Sequence, residues 1–183
     1  MSQLKMRFDK KAWAAPGRAL PEGFALRSLR ADDEAAYLKL RESAGFTGWT
    51  HDNVAELLKT TLPDGLLLII HDGSGDLAAT AAAQFDPAAQ FPDNGVLGWV
   101  AATPAHRGLS LGQAVCAAVM ERLLAAGHRT LHLLTDDWRL PAIKTYFNLG
   151  WIPCLHEPDM EGRWRAVCSE LKLDYDQLEK FTP

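Results

Sequence analysis

Residues 100–112 read Val-Ala-Ala-Thr-Pro-Ala-His-Arg-Gly-Leu-Ser-Leu-Gly, and no other stretch narrows the choice of fold as far. An apolar strand reaches Pro104, a short loop of small residues follows, and a long apolar helix then begins. The first N–H groups of a helix have no partner within it, and its N-terminus carries the positive end of the macrodipole. A loop placed there suits an anion. Gly108 and Gly112 leave the main chain open to a phosphate, with no Cβ in the way. The loop is not Walker A, because no Gly-Lys-Ser/Thr follows, and it is not the dinucleotide pattern G-x-G-x-x-G.

A second element stands downstream, Asp137-Trp138-Arg139-Leu140-Pro141-Ala142-Ile143-Lys144-Thr145-Tyr146-Phe147-Asn148-Leu149-Gly150-Trp151. Together with Arg107-Gly108-Leu109-Ser110-Leu111-Gly112 it resembles the general amine N-acetyltransferase superfamily (GNAT). That family's pyrophosphate loop follows Gln/Arg-x-x-Gly-x-Gly/Ala, and here Ser110 stands where its first glycine usually does. Its later signature is Asn-x-x-Ala-x-x-x-Tyr-x-x-x-Gly-Phe, with Arg139 here for the Asn and Trp151 for the Phe. The strong resemblance runs from about residue 95 to 151, and a weaker one, by element order, from about 24 to 173.

Charge and cysteine usage narrow the partners. The net charge of −4 argues against a nucleic-acid partner, since phosphate binding normally needs a basic face. Three cysteines, Cys116, Cys154 and Cys168, form no CxxC, and residues 1–20 show no continuous apolar core of a signal peptide. Both features fit free thiols in a reducing cytoplasm. The run Leu66–Ile70 is far too short to cross a bilayer. His128, His132, Cys154 and His156 lack zinc-ligand spacing, so no metal is expected.

At 183 residues the chain is read as one domain over 23–183, preceded by an arm or irregular lead-in over 1–22. The lead-in carries Lys5, Arg7, Lys10, Lys11 and Arg18, broken by Pro16, Gly17 and Pro21. A first strand is expected over 24–30, helices over 32–43 and 51–60, and a turn at Pro63-Asp64-Gly65. Strands over 66–71 and 77–85 flank the hairpin turn Asp72–Asp76, and the alanines of the second imply close packing. A strand over 96–102, a helix over 110–126 and a strand over 130–134 follow. A helix through Tyr146 ends at Gly150, and last strands are expected over 151–156 and 164–171. The order β-α-α-β-β-β-α-β-α-β-β is that of the GNAT fold, an α+β domain with a mixed, mostly antiparallel sheet.

The resemblance implies acetyl-CoA as cosubstrate and direct transfer of the acetyl group to an amine. Backbone N–H groups of Arg107, Gly108, Leu109, Ser110, Leu111 and Gly112 would then meet the pyrophosphate. Main-chain groups of Val100 and Ala102 would bond the pantetheine arm, and a strand N–H would polarise the thioester carbonyl. Tyr146 matches the family's general acid, and a phenol of pKa about 10 can protonate a thiolate whose conjugate acid has pKa about 8.5. Arg139 can donate but not accept where the family's Asn bonds pantetheine, and Lys144 and Arg107 are partners for the 3′-phosphate. The base stays open among Asp86, Asp93, His132, Asp136 and His156, because 96–102 contains no acid. Gly45-Phe46-Thr47-Gly48-Trp49 has the composition of a substrate-gating loop.

The expectation is thus an acetyl-CoA-dependent N-acetyltransferase acting on a primary amine of a small molecule or peptide. Its partners are acetyl-CoA and that amine, without nucleic acid or membrane, and a homodimer is compatible with it. The rivals are a non-catalytic acyl-CoA-binding regulatory module on the same fold, and an unrelated phosphate-binding α+β domain.

Overall fold

Leu4, Met6 and Phe8 alternate with Lys5, Arg7 and Asp9, the period of a half-buried strand. In the computed structural model, which describes residues 2–9, 20–85 and 94–182, this segment is strand β1 (Leu4–Asp9). There follow β2 (Phe24–Ser28), α1 (Glu34–Ser43), α2 (His51–Lys59), β3 (Thr61–His71), β4 (Leu77–Phe85) and β5 (Asn94–Ala102). The chain continues with α3 (Leu111–Ala125), β6 (Thr130–Thr135), α4 (Leu140–Asn148), β7 (Ile152–Pro153) and α5 (Met160–Leu171). The strands form one sheet in the order β2-β3-β4-β5-β6-β1-β7. Of its pairings among the described residues, β5 with β6 is parallel and the others are antiparallel.

Three expectations need correction. Residues 4–9 are not a lead-in: β1 pairs with β6 from Leu4 opposite Thr135 to Asp9 opposite Thr130, and its three apolar side chains are buried. Lys5 and Arg7, two of the cations that made the segment look like an arm, alternate with them along the strand, and Lys10, Lys11 and Arg18 lie outside the described residues. Pro16 and Gly17 lie outside the described residues. Residues 164–171 are not a strand but the body of α5. Met160, Trp164, Val167 and Cys168 recur at helical spacing and are all buried. Pro63-Asp64-Gly65 is not a free turn but a bulge inside β3, where register slips between Thr61 and Leu66 and Asp64 takes φ 55°.

Both faces of the sheet are covered, which explains the continuous apolar run in β3. Leu67 and Ile69 join the core under α3, whereas Leu66 and Leu68 join the core with Tyr37, Leu40, Val54 and Leu57 of α1 and α2. Alanines of β4 serve both layers: Ala79, Ala81 and Ala83 face the α3 side, and Ala82 the other. Their small side chains let the helices approach the sheet closely.

One irregularity shapes the site. The parallel pairing of β5 with β6 runs from Asn94 opposite Thr130 to Val96 opposite His132 and ends there. On its other side β5 stays paired with β4, but Gly98 is opposite Ala82 and Ala101 opposite Thr80, so β5 carries one extra residue. Trp99 at this bulge has φ 56°. A bulge bends its strand, and this one begins two residues after the pairing with β6 ends.

Candidate functional site

Two hollows open along the free stretch of β5. The first, a cavity of about 300 Å³, is lined by Val96–Val100, by Leu134–Asp136 at the end of β6, and by Phe46, Gln84, Arg139 and Tyr146. The second, a cleft of about 520 Å³, is lined by Ala102, Arg107, Gly108, Ser110, Leu111 and Gly112 among others. Val100 faces one and Ala102 the other, so β5 leads from cavity to cleft.

The loop cleft follows from local sequence. Thr103 Oγ1 accepts the Ala105 N–H at 3.3 Å and starts a short 3-10 turn, Pro104–His106. Gly108 then takes φ 87° and Ser110 takes φ 57°, which turns the chain into α3. The first α3 bond is from Ala114 N–H to Ser110 O at 3.0 Å. The N–H groups of Gly108 through Gly112 therefore have no backbone acceptor among the described residues. A serine in the left-handed region is uncommon, and Ser110 here takes a conformation that glycine adopts more readily. Leu109 is exposed at the tip, and Lys144 lies exposed on α4 beside Thr145, which lines the cleft.

The cavity gathers the polar groups. Tyr146, one turn after Ala142 on α4, is 5% exposed, and its ring meets Trp151 edge-on with centroids 6.4 Å apart. Burial pushes its phenol well above the ordinary tyrosine range, and Arg139 pulls weakly the other way. Cys116 of α3 adds to the upward push, and its own thiol is raised by burial to about 12. Both groups are neutral at physiological pH.

Arg139 sits at the N-terminus of α4. Its Nε donates to Asp136 Oδ2 at 3.0 Å, and its guanidinium lies over Phe46 and over Trp138, each 4.5 Å from the ring centroid. Gln3 Nε2 donates to Asp136 Oδ1 at 3.1 Å. Of the base candidates among the described residues, Asp136 lines the cavity. His132 is buried within β6, and His156 lies against the Cys154 carbonyl. Asp86 and Asp93 lie outside the described residues. At the cavity wall a Cβ on Gly98 would run into Gln84 Oε1, so the Gln84 amide sits where it does because Gly98 has no side chain. Gln84 itself is held by Thr60, its Nε2 donating to Oγ1 at 2.7 Å.

Sequence reasoning thus named Tyr146, Val100, Arg139 and Asp136, which the fold brings together, and the loop, which the fold places one strand-end away. It missed Gln84, Trp99 and Arg41, an α1 arginine that bonds the Trp99 carbonyl. Only their neighbours in space give these residues a role. Among the described residues no group of three or more His, Cys, Asp or Glu is placed to hold a metal, and no helix is long and apolar enough to cross a membrane.

The sequence profile of the Acetyltransferase (GNAT) family matches residues 28–151. Solved structures share the fold. A GCN5-related N-acetyltransferase from Sphaerobacter thermophilus superposes with TM-score 0.68 at 22% identity, covering 84% of this chain and 49% of that one. The ribosomal-protein-S18-alanine N-acetyltransferase from Escherichia coli gives TM-score 0.56 at 22% identity, over 69% of this chain and 76% of the other. A tandem GNAT protein from the clavulanic acid biosynthesis pathway gives 0.63 at 17% identity, over 83% and 50%. This chain spans about half the length of the first and third of these proteins. No curated protein sequence matches it. With the family profile spanning both the loop and the Tyr146 helix, on a sheet that parts where the two hollows open, this chain belongs to the GNAT acetyltransferase family.

Proposed function

We propose that the chain is an acetyl-CoA-dependent N-acetyltransferase whose acceptor is a primary amine on a small molecule or peptide. The observation that carries this reading is the course of β5, which leaves β6 after Val96 and joins the Tyr146 cavity to the loop cleft. The unengaged N–H groups of Gly108–Gly112 would take the pyrophosphate, and Arg107 and Lys144 would flank the 3′-phosphate. Main-chain groups at Val100 and Ala102 would bond the pantetheine arm.

Acetyl-CoA supplies the activated acyl group. Tyr146, held protonated by burial, would give its proton to the departing sulfur as the carbon–sulfur bond breaks and the nitrogen–carbon bond forms. It would recover that proton from water. Asp136 would attract the acceptor's ammonium and pass the amine proton to solvent, with Arg139 and Gln3 fixing its carboxylate. Phe46, Trp99 and Leu134 would surround the acceptor with apolar surface. The three buried free thiols suit a reducing compartment, and we place the protein in the cytoplasm.

Calorimetric titration with acetyl-CoA, with ATP as control, tests the donor, and amine-dependent release of free thiol tests turnover. Selective binding followed by thiol release supports the reading. Binding of ATP in preference, or no binding, removes it, and binding without turnover on any amine favours an acyl-CoA-sensing module.

A further inference from the structure

Arg41 is fully buried on α1, between the α1–α2 loop and the bulge of β5. Its Nη1 donates to the Trp99 carbonyl at 3.0 Å. Its guanidinium carbon lies 3.9 Å from the Phe46 ring centroid, 4.0 Å from that of Trp49 and 5.2 Å from that of Trp99. Its Nε and Nη2 make no hydrogen bond of good geometry among the described residues, and the polar group set against its charge is the buried hydroxyl of Tyr37, one turn earlier on α1. A buried guanidinium that makes so few bonds is a poor contributor to stability, so packing alone does not account for it.

What it touches supplies the account. Trp99 is a bulky residue held at φ 56°, a conformation that L side chains avoid and that bulges usually assign to glycine. Strain of this kind persists only where surroundings over-determine it. Arg41 supplies that determination twice, by taking the carbonyl of the strained residue and by stacking the Trp49 ring, which packs edge-on to Trp99 with centroids 4.7 Å apart. Phe46, which the same guanidinium also covers, lies under Arg139 as well. Trp99 and Phe46 are two walls of the cavity that holds Tyr146.

We propose that Arg41 is a positioning residue that clamps the Trp99 bulge and the Phe46–Trp49 loop together, and so sets the opening between β5 and the acceptor loop. The role in transfer rests on the acetyltransferase reading, but the clamp does not. Because the bulge lies in the stretch of β5 that β6 no longer holds, releasing it would let Val100 drift from the line that joins cavity to cleft.

The test is a double-mutant cycle in the full chain, Arg41→Met with Trp99→Gly, read first by amide hydrogen exchange without ligand. Glycine holds φ 56° unaided. Arg41→Met is expected to raise exchange over residues 98–101 about tenfold or more, with β1 and α5 unchanged, and to do much less in the Trp99→Gly background. Equal effects in both backgrounds, or no local rise, overturn the clamp. If Arg41→Met does not fold alone, folding of the double variant supports the clamp, and failure of both overturns it. The second readout is donor binding and turnover. Arg41→Met should weaken acetyl-CoA and lower kcat more than it raises the acceptor KM, with Arg41→Lys intermediate. Wild-type affinity and turnover in Arg41→Met overturn the positioning role. A wild-type protein that binds no acetyl-CoA removes the acetyltransferase reading and leaves the exchange result to decide the clamp.

Discussion

Arg163 of α5 grips Asp137 with two bonds, Nε to Oδ2 at 3.0 Å and Nη2 to Oδ1 at 2.6 Å, one residue beyond the Asp136 that lines the cavity. The same guanidinium reaches back to the Ser2 carbonyl at 3.0 Å. It thus ties a C-terminal helix, the start of β1 and the β6–α4 connection into one corner of the site. The bond from Arg163 holds the Asp137 carboxyl below its usual range.

Removing this tie should loosen the site before it unfolds the protein. Arg163→Gln is expected to cost about 1 kcal/mol, since the Asp137 side chain is 42% exposed and solvent screens the pair. The sign with pH follows from the lowered folded pKa. The pair's stabilisation is present above the unfolded value of about 3.9 and is lost as pH falls through the lower folded value. Urea denaturation of wild type and Arg163→Gln should therefore differ at neutral pH and converge in acid. A constant difference across that range would reject the ion pair as the cause.

Tyr146→Phe keeps the ring against Trp151 and removes only the hydroxyl. A loss of about a hundredfold or more in kcat, with acetyl-CoA affinity unchanged, is expected of a general acid. Steady-state rates paired with calorimetry measure both, and undiminished turnover would remove Tyr146 from the acid role.

The chain has three tyrosines, and burial raises all of them, Tyr37 to about 12 and Tyr146 and Tyr175 upward. At pH about 10 a free phenol is half ionised, so the native protein should show far less phenolate absorbance than its unfolded chain. For a group whose folded pKa is raised, the contribution to stability is complete below the unfolded pKa and fades above it. Alkaline unfolding should thus begin near pH about 10 and release phenolate together with loss of structure. Gradual phenolate formation in a folded protein would contradict the burial.

Gly98→Ala should destabilise by about 1 kcal/mol, because the new Cβ displaces the Gln84 amide from its bond to Thr60 Oγ1. Adding Gln84→Ala should return part of that loss and widen the cavity. Thermal denaturation of the two single variants and the double variant checks it, and strict additivity would show that the two side chains do not compete for the space.

Gly108→Ala and Ser110→Gly probe the loop in opposite senses. Gly108 sits at φ 87°, so alanine there should cost about 1 kcal/mol and weaken acetyl-CoA binding. Ser110 sits at φ 57°, so glycine should be tolerated within about 1 kcal/mol and bind acetyl-CoA as well as wild type. Calorimetry on both decides whether backbone N–H groups, rather than the Ser110 hydroxyl, carry the anion.

Local sequence by itself determined the loop and the helix that follows it. Pro104, Gly108 and Ser110 specify a turn through short-range sterics, and α3 and α4 show their apolar faces over adjacent turns. The helix that carries Tyr146 was legible because its apolar face and its glycine stop are local features, whereas the role given to Tyr146 came from the family resemblance. The edges of the fold were not legible. Alternating Leu4, Met6 and Phe8 become a strand within the sheet only because β6 and β7 lie on either side, and Met160–Leu171 chooses helix over strand because Trp164 and Val167 meet one buried face. The site depended most on tertiary structure. Nothing near Arg41 in the chain announces a buried guanidinium 58 residues from the carbonyl it bonds, or an aspartate fixed by Gln3 from 133 residues away. Such contacts are set by how whole elements pack, and the sequence separation that makes them specific also hides them from any local reading.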